Sequence, residues 1–512
     1  MSHYQKFPML ALFAAGFLAA NGVAAQNLTL AVQGVPDSLD PVTENSNLNL
    51  RVVSSIYETL IDTNYRDGGA LEPGLATNWE VLDARTIEFE LRDGVRFHNG
   101  DTLDASDVVA TFDPVRRGQD DSVPVASRQF LSGIDRVEVV DNMTVRIHMS
   151  EPDSIAVNRF ASFPSHIISS DAFEAADTYT EFAAQAIGTG PYRVEEHEIG
   201  EQVVLERFDE YWGEPEAAAE QLTFTVVPEL STRIAGLFSG QFDVITEIGA
   251  DEIAQIEGNA ETSIVGGPIE SIRGLFYDST NSTLDDPRIR RALNLSIDRQ
   301  LLVESFYQGK TPVPNGWQMD IFGEMYLDDR PKPEYNVDKA QRLLEEAGYN
   351  GDEIVYRTLP NYYPKQLETA QALQSMWNNA GLNVTLEVKE NWSQAKKDDE
   401  RRHIIDGSFT AYYPDPMGQF WRRFGPDSGK EDDYWVNSPE MLELGETLAT
   451  SVDTDQRRQT FRRMLNRFEM NPHGAVLHTL PMFMGIRSDR LSMDPVPSEQ
   501  LDLTTDGLTF KR

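Results

Sequence analysis

The sequence predicts an α/β fold divided into more than one lobe, and three observations lead there. The chain has 512 residues, more than one hydrophobic core usually organises. Its 40% hydrophobic and 25% charged content is that of an ordinary globular protein. Up to about residue 275 the text is one of alternating strands and turns, and after it strands alternate with capped helices, the spacing of units that build parallel sheets.

The elements follow in order. Lys6 and the apolar run Pro8 to Ala20 are too short to span a bilayer and read as an export segment, with Val23-Ala24-Ala25 supplying the small residues of a cleavage site before Gln26. Leu28 to Gln33 alternates as a strand and stops at Gly34-Val35-Pro36, and Val52 to Leu60 reads as a helix. In Leu71 to Phe112, Ile87, Phe89 and Leu91 alternate with polar residues, and Val95 and Phe97 repeat the pattern. Asn99-Gly100 marks a turn and Asp104 caps a helix bearing Val108, Val109 and Phe112. A second strand-rich block spans Ile134 to His148, and the glycines of Gly188-Thr189-Gly190-Pro191-Tyr192 permit a tight turn into a strand. Ser231 to Gly240 reads as a helix and Phe242 to Ile245 as a buried strand. Beyond Ile272 to Tyr277, helices open at Asp286-Pro287, Asp298 and Asn336. Strands are expected at Glu353 to Leu359 and Leu382 to Val388, around a helix from Leu367 to Ala380, and an apolar return runs from Val476 to Met484.

Composition excludes several functions. Lys and Arg number 44 against 83 Asp and Glu, a formal net charge of −39, which disfavours nucleic acid and anionic membranes as partners. With no cysteine there is no disulfide, thiolate metal site or Cys nucleophile. Eight histidines without an HExxH spacing offer no metal site, and no cofactor or catalytic residue is indicated. A secreted glycoside hydrolase using two carboxylates is the rival from another class, but with so many acids a pair at a workable separation would arise by chance.

Several phrases are more specific than their periodicity. Pro73-Gly74-Leu75-Ala76-x-x-Trp79, Arg96-Phe97-His98-x-Gly100, Gly188-Thr189-Gly190-Pro191-Tyr192-Arg193-Val194, Arg207-x-x-x-Tyr211-Trp212-Gly213, Arg290-Arg291-Ala292-Leu293 and Ala340 through Leu344 to Gly348-Tyr349 together resemble the family 5 extracellular solute-binding proteins of ABC importers. The resemblance implies a bilobed periplasmic-binding-protein fold, type II in its large three-segment form, with the ligand cleft between lobes. It places lobe I at 26–275 plus 479–512, with a strand-rich subdomain at about 71–200, and lobe II at 276–478, joined by crossovers near Gly274 and Met482. It further implies a monomer, free in the periplasm without a lipid anchor, that hands a small molecule or short peptide to a membrane permease.

Within that resemblance, Gly34 and Val35 line the cleft. In peptide-binding relatives an aspartate before the tyrosine of a Tyr-Pro-Asp-Pro-like loop pairs with the ligand ammonium. Here the loop is Ala411-Tyr412-Tyr413-Pro414-Asp415-Pro416, with Tyr412 in that place and Asp406 or Asp415 as possible substitutes. Tyr412, Tyr413, Asp415, Tyr362, Trp392 and Trp421 are the expected ligand contacts, for a peptide or peptide-like solute or, alternatively, an oligosaccharide or opine-like one.

Overall fold

A computed structural model describes residues 26–44, 46–119, 123, 127–131, 133–428, 430 and 433–511; the expected export segment, 1–25, lies outside them. One ten-stranded sheet runs through the whole molecule. From one edge its strands are Asn383–Val388, Glu353–Thr358, Ile404–Thr410, Thr262–Tyr277, Gly474–Arg487, Val244–Ile245, Asn27–Val32, Gln221–Val226, Gln202–Arg207 and Tyr192–Glu198. The first three belong to the later half of the chain and the last five to the earlier half. The two central strands, of 16 and 14 residues, belong to both.

Those two strands pair antiparallel along almost their whole length, with irregularities between Pro268 and Ile272, opposite Pro481 and Thr479, and between Arg273 and Gly274, opposite His478 and Val476. Proline has no N–H to give to a ladder, so Pro268 facing Pro481 weakens the sheet there. The crossovers were expected near Gly274 and Met482; one irregularity lies at Gly274 and the other beside Met482, where the prolines are.

The parallel pairs predicted for the later half are present: Glu353–Thr358 runs parallel to both Asn383–Val388 and Ile404–Thr410. Helices Pro287–Leu295, Arg299–Tyr307 and Val337–Ala347 begin where Asp286, Asp298 and Asn336 accept from backbone N–H groups of the first turn. The strand-rich subdomain is a separate antiparallel sheet in the order Ala76–Asp83, Thr86–Leu91, Thr144–Met149, Ile134–Asp141. Ile87, Phe89, Val145 and Ile147 are fully buried on its inner face. Asp104 and Asp107 form a reciprocal capping box on the helix Ala105–Thr111. The subdomain's core continues into an aromatic cluster of the later half that includes Trp317, Phe409, Phe424 and Phe468, so the apolar packing crosses the boundary expected between lobes.

Two expectations fail for local reasons. Val95 and Phe97 are buried, but beside them only the isolated bridge Arg96–Thr102 forms. The helix expected at Val52 to Leu60 is instead Asn47–Val53. The backbone beyond it is claimed by the Gly188–Tyr192 turn, where Gly190 N donates to Ile56 O at 2.9 Å and Tyr192 N to Ser55 O at 3.1 Å. A Cβ on Gly188 would stand 2.1 Å from Ile56 O.

The same docking brings Glu58 under three donors: Thr189 Oγ1 at 2.8 Å, Tyr211 Oη at 2.9 Å and Trp212 Nε1 at 2.7 Å. Two sequence motifs therefore converge on one carboxyl. Burial pushes Glu58 up to about 7 from 4.5, the three hydrogen bonds opposing it.

Two outcomes follow from this docking. Gly188→Ala is expected to lower unfolding free energy by about 2 kcal/mol or more in a denaturant titration, because the clash is with backbone. The native state holds the Glu58 proton more tightly than the unfolded chain, so its contribution is complete below about pH 4.5 and is lost as pH rises to about 7. Comparing wild type with Glu58→Gln across that range is expected to isolate a loss on the order of 2 kcal/mol, discounted for the side chain's partial exposure.

Candidate functional site

Both halves of the chain wall one small cavity. Gln33, Asn47, Leu48, Arg51, Glu247, Ile269 and Glu499 come from one side, Tyr362, Tyr363 and Pro364 from the other, and Leu480, Pro481 and Met482 from the shared return strand. Its volume is about 20 Å³, near one water. A peptide-sized solute therefore needs the halves to part.

Near the cavity three polar contacts join the halves: Gln33 Nε2 donates to Tyr362 O at 3.0 Å, Gln308 Nε2 to Ala250 O at 3.1 Å, and Lys365 Nζ pairs with Asp251 Oδ2 at 2.7 Å. Glu247, Gln308 and Lys365 have φ of 54°, 52° and 56°, a left-handed backbone that costs such residues on the order of 1 kcal/mol each. Of the four non-glycine residues in that region, three thus sit at the seam, among the described residues.

On the lobe I wall the buried Arg51 pairs with Glu247 and, at 3.2 Å, with Glu499. Burial works against its charge, yet the two carboxylates more than offset that and raise its pKa. On the opposite wall the loop carrying Tyr362 and Tyr363 is pinned from below. Gln366 Oε1 accepts from Tyr362 N at 2.8 Å and Tyr363 N at 3.1 Å, while Gln366 Nε2 donates to Asp406 Oδ2 at 2.8 Å. Asp406 also accepts from Tyr356 Oη and Thr358 Oγ1 and pairs with Arg273 Nη2 at 2.7 Å. The Arg273 guanidinium lies 4.0 Å from the Tyr363 ring centroid. Trp392 stands edge-on to Tyr362 at 5.2 Å and remains partly exposed.

Of the residues expected to meet ligand, Tyr362 lines the cavity, Trp392 abuts it, and Gly34 follows the lining residue Gln33, its Cα facing Leu48. The rest are placed otherwise. Val35 is packed in the lobe I core. Tyr412, 6% exposed, is enclosed by Phe130 and Phe163 at 5.2 and 5.0 Å, with Arg422 over its ring at 4.4 Å. Tyr413 packs over Gly418, where an added Cβ would meet its ring at 2.7 Å. Trp421 is wedged against Gly445, where an added Cβ would come within 2.0 Å of its ring. Asp415 pairs with Arg457 at 2.9 Å and accepts from Met417 N at 2.8 Å. These aromatic rings fill a core cluster, and neither Asp406 nor Asp415 is free to take a ligand ammonium. Arg51, Glu247 and Glu499 escaped the sequence reading because they lie far apart in the chain, with no spacing to signal their meeting.

The sequence pattern of the bacterial extracellular solute-binding proteins, family 5 (middle region), matches residues 70–431. The dipeptide-binding protein of Escherichia coli (strain K12) is 27% identical over 474 residues, 87% of each chain. The ABC transporter-associated periplasmic binding protein DppA from Helicobacter pylori, solved with the peptide STSA, superposes with a TM-score of 0.84 at 20% identity, over 95% of this chain and 99% of that one. AgaA from A. tumefaciens R10, solved with agropinic acid, does so with a TM-score of 0.80 at 22% identity, again over 95% and 99%.

Replacing Asp406 by Asn leaves Arg273 buried without its counter-charge. The expected cost is about 3–5 kcal/mol in chemical denaturation, together with faster amide exchange in the Tyr362–Gln366 loop.

Proposed function

The chain belongs to the bacterial extracellular solute-binding proteins of family 5, and we propose from that premise that it captures a peptide or peptide-like solute in the seam between its halves. The role is that of a receptor delivering its solute to the permease of an ABC importer, with no bond made or broken in the solute. One observation carries the placement of the site: the cavity whose walls come from both halves, closed by Gln33–Tyr362, Gln308–Ala250 and Lys365–Asp251. Binding between lobes favours the closed arrangement only if ligand contacts more in it than in the open one. A cavity rimmed by Tyr362 from one half and by Gln33 and Arg51 from the other is consistent with that condition, because it offers a solute groups from both halves at once.

The ligand class rests on the relatives, which include a dipeptide-binding and a glutathione-binding protein. Because Asp406 and Asp415 are engaged with Arg273 and Arg457, the solute need not carry a free α-ammonium. The family is extracellular or periplasmic, and among the described residues no helix is long and apolar enough to cross a membrane. Export with cleavage after Ala25, without a cysteine for lipid attachment, accounts for the amino-terminal run.

Small-angle scattering is expected to show a smaller radius of gyration when a bound peptide saturates the protein; an unchanged radius, or a chemically altered peptide, overturns the reading. Tyr362→Ala is expected to weaken peptide binding by about 1–3 kcal/mol in calorimetry while the melting temperature of the empty protein stays close to wild type, since the ring is only partly buried. Tyr412→Ala, by contrast, is expected to cost about 3 kcal/mol of stability, as other enclosed aromatics do. Intact mass of the exported protein is expected to correspond to a chain starting at Gln26.

A further inference from the structure

A second cavity lies away from the seam. Its volume is about 390 Å³, within the range of about 300–1,000 Å³ usual for small-molecule sites. Its wall is built from residues 54–74, 161–166, 191–215 and 496–506, and it shares no residue with the cavity at the seam. A molecule can therefore be held there by the earlier half and the carboxyl-terminal segment alone. Tyr57, Tyr65, Phe163 and His166 give the wall aromatic surface. His166 stacks on Tyr57 at 5.9 Å, is 5% exposed, and leaves Nδ1 without a hydrogen-bond partner among the described residues. Thr63, 8% exposed on the same wall, leaves Oγ1 without one as well. Buried polar groups are almost always paired, so two unpaired ones on one wall point to a partner that arrives with a solute.

The charge on the wall says which solute. Six carboxyl side chains line the cavity against one guanidinium, that of Arg66. Arg66 is already engaged, pairing with Asp502 at 2.7 Å and donating to Asp494 O at 2.6 Å. Glu58 is engaged too, by Thr189, Tyr211 and Trp212. Asp62 and Glu72 are placed differently. They stand directly opposite each other on the antiparallel strands Ile61–Asn64 and Ala70–Pro73, and neither forms an ion pair among the described residues. Asp62 accepts from Thr63 N at 2.7 Å and Glu72 from Asn64 Nδ2 at 2.8 Å, which leaves both charges unneutralised. Like charges directly opposite across a ladder destabilise it, and a cation between them relieves that cost. Both side chains are exposed, so a solute reaches them. Burial pulls the His166 ring down to about 3, so it stays neutral and does not repel a cation. Among the described residues no three His, Asp or Glu converge as metal ligands, which suits the wall to an extended organic cation rather than a metal ion.

We propose that this cavity is a second binding site, for an organic ammonium compound: Asp62 and Glu72 receive its charge, and the rings of Tyr57, Phe163 and His166 receive its apolar body. Ammonium groups are attracted to aromatic faces as well as to carboxylates, and this wall offers both. Because the seam contributes nothing to it, the site fills without closure of the halves and independently of the solute held between them.

The test uses the full mature protein, calorimetry, and two pairs of probes matched in shape: choline against its uncharged carbon isostere, and putrescine against the corresponding diol. At least one charged member is expected to bind about tenfold or more tightly than its neutral partner, and the responding pair shows whether quaternary or primary ammonium fits. Asp62→Asn and Glu72→Gln are each expected to weaken that binding about fivefold or more. Both are expected to melt at or above the wild-type temperature, since each relieves a like-charge pair. Ala161→Phe, which adds a ring at the wall and removes no charge, is expected to abolish binding. Tyr362→Ala is expected to leave it unchanged, and small-angle scattering to show the same radius with and without the probe. Binding that survives a folded Ala161→Phe, or that the acid variants leave untouched, is adsorption to the acidic surface and overturns the site. Binding lost in Tyr362→Ala, or accompanied by closure, belongs to the seam and overturns it too. Equal affinity within both pairs, or no binding by any probe, also overturns it. If Ala161→Phe fails to fold, the protein carrying both Asp62→Asn and Glu72→Gln decides: lost preference supports the site and retained preference overturns it.

Discussion

Two strands hold this molecule together and decide how it can move. Thr262–Tyr277 and Gly474–Arg487 lie side by side at the centre of the ten-stranded sheet, and each half of the chain hangs its own strands from one of them. Motion between halves must bend that pair, and the place of least resistance is where Pro268 faces Pro481, because neither residue can donate to the ladder. Immediately beyond the break, Arg273 enters the Asp406 network, which fixes the loop of Tyr362 and Tyr363 through Gln366. That half of the cavity wall is thereby tied to its part of the sheet.

Charge is distributed with the same economy. The surface is strongly acidic, and arginines taken inside are met either by a carboxylate or by carbonyls. Arg290 and Arg299 illustrate the second case: their guanidinium groups donate to Pro472 O and Val476 O at 2.7 and 2.6 Å, and burial pulls both down to about 10. Such pairs and carbonyl cradles order the interior without leaving charge available.

The seam also stores backbone strain. Glu247, Gln308 and Lys365 occupy left-handed conformations at or beside the contacts that close the halves. Conformations of this kind persist where surrounding structure over-determines them, and here the surroundings are contacts that opening would break.

Much of the architecture was legible in the sequence because it rests on local physics. Asn336, Asp298 and Asp104 announce helices by offering an oxygen to free N–H groups, and the alternation of Ile87, Phe89 and Leu91 commits one face to a core whatever lies opposite. The family phrases were legible as well, although their physical task was not: Thr189, Tyr211 and Trp212 look like separate motifs until the fold brings them onto Glu58. The candidate site was legible only in part. Tyr362, Trp392 and Gly34 fall at or beside the cavity, whereas Tyr412, Tyr413, Trp421 and Asp415 are taken up by packing and by Arg457. An aromatic side chain serves a core or a ligand equally well, and a carboxylate a guanidinium in the protein or an ammonium in a solute. Sequence by itself determined the α/β class, the caps and strand faces, and the family, since each depends on residues close together in the chain. Only the tertiary structure decided which aromatics are enclosed and that Arg51 meets Glu247 and Glu499, because those outcomes depend on residues the chain holds far apart until it folds.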